Sequence, residues 1–102
     1  MQASEWKLAE EFLDRLRTER QLSPHTASAY RRDLVCLRDY CEKNDIERWR
    51  DIKEHNMRRF AAVSFAGGLS PRTIQRRLSG ARSFMDWLIR EGKLKVNPVI
   101  EI

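Results

Sequence analysis

The sequence predicts an all-α protein, a bundle of four to five helices around one small core. Three observations predict it. Apolar residues recur at three- and four-residue spacing along most of the 102 residues, and no segment alternates with the two-residue period of a strand. Two helix-opening strings, Leu22-Ser23-Pro24-His25-Thr26 and Leu69-Ser70-Pro71-Arg72-Thr73, agree at four of five positions and lie 47 residues apart. Glycines, at Gly67-Gly68 and at Gly92, stand where apolar repeats stop and mark helix ends.

The first helix is expected from an N-cap at Ser4 to about Arg20, with Trp6, Ala9, Phe12, Leu13 and Leu16 turned inward. The second opens at Ser23 and runs to about Lys43, burying Ala27, Tyr30, Leu34, Leu37 and Cys41. A connector follows, pinned to the core by Ile46 and Trp49. The third helix is expected near Asp51, where Asp51 and Glu54 have capping-box spacing. It buries Met57, Phe60 and Ala61 and stops at Gly67-Gly68. The fourth runs from Ser70 to about Glu91, with Ile74, Leu78, Ala81, Met85 and Leu88 as its inner stripe and Gly92 as its cap. Beyond it the tail is expected to be extended, because Asn97-Pro98 disfavours helix. This divides the chain into a domain over 1–95 and the start of a linker over 96–102. Short connections set successive helices side by side in a bundle.

Composition narrows the function. The length suits one domain with one core. No apolar run approaches the roughly 20 residues of a membrane span, and the acidic, amphipathic N-terminus lacks the layout of a signal peptide. A cytoplasmic location and no membrane partner are the expectations. Cys36 and Cys41, five apart, project differently from a helix and read as reduced, structural thiols. With two histidines and no CxxC spacing, no metal and no cofactor are expected. Nor is there a catalytic triad spacing, a paired-carboxylate cleft or a phosphate-cradling glycine loop, so this chain reads as a binding module rather than an enzyme.

The net charge is +5, and residues 69–102 hold seven bases against three acids. That concentration attracts polyanions. On the fourth helix Arg72, Gln75, Arg76, Ser79 and Ser83 share the face opposite the apolar stripe. Arginine reaches guanine edges or phosphates, glutamine pairs with adenine, and serine lets a backbone come close. The second helix carries a thinner stripe of the same kind, His25, Ser28, Ala29 and Arg32. Arg31 and Arg77 sit at the edges of the stripes as phosphate ligands. Arg38, Lys43, Arg58 and Arg59 read as solvated charge.

The repeated strings add to this. Each places Ser at the N-cap, Pro at the first helical position and Thr at the third. A helix start with free N–H groups and hydroxyls also binds phosphate. Two such starts on one side of a bundle would grip two backbone segments, with the arginine faces between them. The rival reading is a helical protein–protein module that turns its basic face to an acidic partner.

The strings LSPHTASAYRRDL (22–34) and GLSPRTIQRRLSGARSFMDWLIREGKLKVNP (68–98) resemble the N-terminal core-binding domain of tyrosine recombinases, most closely the Xer branch and within it the XerC group. Phage integrases share that fold. The resemblance implies an all-α SAM-like bundle that forms half of a clamp on duplex DNA, two of its helices crossing the major groove of a recombination half-site. Those helices correspond to residues 24–43 and 71–91. It places DNA contacts at Thr26, Ser28, Arg31, Arg32, Arg72, Thr73, Gln75, Arg76, Ser79 and Arg82, beside Arg77 from the stripe argument. It further implies a catalytic domain C-terminal to this chain and absent from it, a sister Xer recombinase as partner in a tetrameric synapse, and the resolution of chromosome or plasmid dimers at cell division.

Overall fold

Four α-helices carry the fold in the computed structural model of the chain, which describes residues 1–99: α1 (Ala3–Glu19), α2 (Pro24–Lys43), α3 (Glu54–Ala66) and α4 (Pro71–Arg90), with a short 3-10 turn at Trp49–Asp51 before α3. No strand occurs among the described residues. The expected linker start at 96–102 falls partly outside them.

The repeated starts fold alike. Ser23 Oγ accepts from the Thr26 backbone N–H at 3.2 Å, and Ser70 Oγ accepts from that of Thr73 at 3.2 Å, each with Pro opening the helix. The ends of α3 and α4 are built as two-bond caps. Gly68 (φ +93°) follows α3, where the N–H groups of Gly68 and Leu69 bond to the carbonyls of Phe65 and Ser64. Gly92 (φ +73°) repeats the pattern after α4 onto Ile89 and Leu88.

Two boundaries differ from expectation. Gln2, not Ser4, caps α1, which starts two residues earlier and receives no side-chain cap. The Asp51–Glu54 capping box does not form. Residues Trp49–Asp51 make the 3-10 turn, and α3 is opened by Asn56, whose Oδ1 accepts from the Lys53 backbone N–H at 2.8 Å. The reason lies in Trp49, which is buried and held by two bonds to α1: its backbone N–H donates to Glu5 Oε1 (2.8 Å) and its indole N–H to the Glu5 carbonyl (2.7 Å). That fixed turn uses up the residues before α3.

The core is aromatic. Phe84 of α4 lies 5.2 Å from Phe12 of α1 and 5.0 Å, edge-on, from Trp49, and Trp87 packs beside both phenylalanines. Such pairs add about 0.5–1.5 kcal/mol each beyond their buried area. Tyr40 meets Phe60 edge-on at 5.4 Å and ties α3 to α2. Cys41 is buried in this core, which pushes its thiol up to about 12. Both cysteines are free, as expected. Beyond α4 the chain folds back, and Val99 is completely buried. Among the described residues no helix is long and apolar enough to cross a membrane.

Candidate nucleic-acid interface

α2 and α4 cross in contact, and the crossing is legible from three pairs. A Cβ on Gly80 would touch the Tyr30 ring at 3.5 Å, while Arg76 and Arg77 both reach Asp33. Moving forward on α2 from Tyr30 to Asp33 therefore means moving back on α4 from Gly80 toward Arg76. The helices run antiparallel at the crossing. Their capped starts, Ser23 and Ser70, accordingly lie toward opposite ends of the pair, each about 12 Å of helix from the crossing. The expected pair of starts on one side of the bundle becomes two starts flanking a common ridge.

The candidate residues fall into three groups. Arg32 and Ser28 on α2 and Arg72, Gln75 and Ser79 on α4 are exposed, with no side-chain hydrogen bond or ion pair among the described residues. Thr26 and Thr73 stand in the first turns, each hydroxyl 3.1 Å from its capping serine. That leaves their remaining hydrogen-bonding capacity for a second partner.

The other arginines are engaged within the fold. Arg31 grips both carboxylate oxygens of Glu10 on α1. That bond is the main reason the Glu10 carboxyl is held below its usual range. Arg76 was expected on a fully free stripe. It remains half-exposed but is pinned to Asp33, with Nε 3.1 Å from Oδ2 and Nη2 2.8 Å from Oδ1. The same carboxylate raises the Arg76 pKa further. Arg77 is mostly covered, its Nε 3.3 Å from Asp33 Oδ1. Arg82 donates from Nε to the Val99 carbonyl at 2.9 Å, tying α4 to the returning tail. Arg38 is not solvated charge: its guanidinium lies 4.5 Å from the centroid of Trp6, whose indole N–H donates to Glu10.

Asp33 was not singled out from the sequence, though it carried a signal. It falls at helical spacing with Tyr30, Leu34 and Leu37, so an acid stands on the inner stripe of α2. A carboxylate there requires cationic partners. Among the described residues no group of three or more His, Cys, Asp or Glu side chains is placed to hold a metal.

The pattern of the phage integrase N-terminal SAM-like domain matches residues 9–92, from the middle of α1 to the glycine after α4. The chain belongs to that family. All eleven candidate contact residues, and their partners Glu10 and Asp33, lie inside the matched stretch. Curated relatives of this SAM-like domain are named tyrosine recombinase XerC. The protein of Xanthomonas campestris pv. campestris (strain B100) is 39% identical over 89 residues, covering 87% of this chain and 28% of the relative. That of Pseudomonas syringae pv. syringae (strain B728a) is 43% identical over 83 residues, 81% of this chain and 28% of the relative. That of Azotobacter vinelandii (strain DJ) is 40% identical over 87 residues, 85% and 29%. The chain thus spans little more than a quarter of the length of these relatives. No solved structure matches. The expected SAM-like all-α fold and the resemblance to tyrosine recombinases both hold.

Proposed function

We propose that this domain binds duplex DNA as the N-terminal clamp of a Xer-type site-specific tyrosine recombinase, laying the α2–α4 ridge into the major groove of one half-site. The observation that carries the reading is the ridge itself. Arg72, Gln75, Ser79, Ser28 and Arg32 stay exposed and uncommitted on two crossing helices, while capped starts with spare hydroxyls flank them. Those starts suit backbone phosphates on either side of the groove. Arg76 and Arg77 share Asp33 and together leave one net positive charge at the crossing, and Arg82, bonded to a neutral carbonyl, keeps its own, whereas Arg31 is balanced by Glu10. Family membership and the relatives' name support the rest. Strand cleavage and rejoining belong to the remainder of a longer recombinase, acting with a sister recombinase in a tetrameric synapse in the bacterial cytoplasm to resolve chromosome or plasmid dimers.

The test is fluorescence-anisotropy titration of short duplexes, one carrying a Xer-type half-site and one scrambled, across a salt series. Preference for the half-site is expected, with log K falling against log salt by about 0.9 per phosphate neutralised. Equal, salt-sensitive binding to both would move specificity out of this domain. Absence of binding at low salt would reject the DNA reading in favour of an acidic protein partner.

A further inference from the structure

Asp33 is the one buried charged side chain among the described residues, 4% exposed, and both its oxygens are taken by α4. Burying a carboxylate beneath a helix crossing costs desolvation that its ion pairs only partly offset, and apolar residues of similar volume often serve stability as well or better. The consequence of the arrangement is therefore to be sought in geometry. A guanidinium holds five N–H donors in one planar fork. Arg76 meets Asp33 side-on, through Nε at 3.1 Å and Nη2 at 2.8 Å. This uses one edge of the fork. The other edge, formed by Nη1 and the second N–H of Nη2, has no protein partner, on a side chain that is 51% exposed.

That remaining edge is the one that spans O6 and N7 of guanine. A phosphate accepts a mobile cation from many directions, whereas a base edge requires the fork to be coplanar and fixed. The two bonds to Asp33 fix the plane. Arg77, 3.3 Å from the same carboxylate, leaves the cluster with one net positive charge toward a polyanion. Ser79, next along the face, has no bulk to hold the helix away. We propose that Asp33 is a positioning residue that holds the Arg76 guanidinium for bidentate reading of a single guanine in the major groove. The proposal rests on the DNA-binding function above and adds which base is read and what aims the reader.

The test selects bound duplexes from a pool with a randomised central segment, using the chain itself, Asp33→Asn and Arg76→Lys, and sequences each bound fraction. Asparagine keeps the shape of Asp33 without its charge; lysine keeps the charge of Arg76 without the fork. Both variants are expected to lose preference for guanine at one shared position, on the order of 10- to 100-fold, with the rest of the motif intact. Circular dichroism melts accompany the selection, and if Asp33→Asn does not fold, Arg76→Lys decides alone. Retention of the guanine preference in the variants overturns the proposal. So does a loss spread evenly over all sequences, which would put Arg76 on phosphate. Salt-sensitive binding by the unmodified chain with no enriched guanine removes base reading and leaves DNA binding standing; no binding at all removes both.

Discussion

Six arginines stand among the residues assigned to DNA, and four of them, Arg31, Arg76, Arg77 and Arg82, already face an acceptor within the fold. Each such partner trades free charge for fixed direction. Glu10 shows the trade most plainly, accepting from the Trp6 indole and gripped by Arg31. The Arg31 bond holds the Glu10 carboxyl below its ordinary value, so the folded state favours the ionised form. The stabilisation is fully present above the ordinary glutamate value and is lost as pH falls through the lowered one. Thermal melts of the unmodified chain and Glu10→Gln between about pH 6 and pH 3 should therefore converge toward the acid end. A melting difference that stays constant across that range would show that the ion pair contributes nothing.

At the scale of elements, the contact between α2 and α4 sets the ridge, and Gly80 sits inside it. A Cβ there would meet two carbons of the Tyr30 ring at 3.5 Å, ordinary van der Waals contact. Gly80 lies inside α4 at a position where nothing requires a left-handed backbone. Glycine costs a helix interior about 1 kcal/mol relative to alanine. Gly80→Ala is accordingly expected to raise stability by up to about 1 kcal/mol, read as a higher denaturant midpoint at unchanged slope. Gly80→Leu, by contrast, must part the helices and should lower it. If Gly80→Ala lowers the midpoint too, the crossing is tighter than its geometry indicates.

For the whole molecule, the returning tail is part of the fold. Asn97 donates to the Arg82 carbonyl at 3.1 Å and to Asp86 at 2.8 Å, and its Oδ1 accepts from the Val99 N–H at 2.8 Å. Val99 closes the core, and its carbonyl takes Arg82. Asn97→Ala should cost about 1–3 kcal/mol, measurable by urea denaturation. A loss below about 0.5 kcal/mol, as for an ordinary surface substitution, would mark residues 96–99 as a mere connector. Elsewhere the surface leaves two large apolar side chains of α3 exposed, Val63 and Phe65, which two-residue spacing sets on different flanks of the helix.

Much of this was legible in the order of residues. Helical spacing located the four helices and most of the core, and Ser-Pro at Ser23 and Ser70 gave two starts to the residue, because capping chemistry is local. The weakly signalled boundaries failed for the opposite reason. The α1 start has no side-chain cap, and the Asp51–Glu54 spacing was overruled by Trp49, whose partner Glu5 lies 44 residues away. The ridge was legible as a face, since a helix projects its side chains at a fixed angle. Which arginines on it are uncommitted was not. Glu10, Asp33 and the Val99 carbonyl meet Arg31, Arg76 and Arg82 across 21, 43 and 17 residues of chain. Sequence by itself determined the helices, the excess of charge and the face that bears it. Only the tertiary structure decided the antiparallel crossing and the direction of each guanidinium, because both depend on contacts between helices that no local spacing encodes.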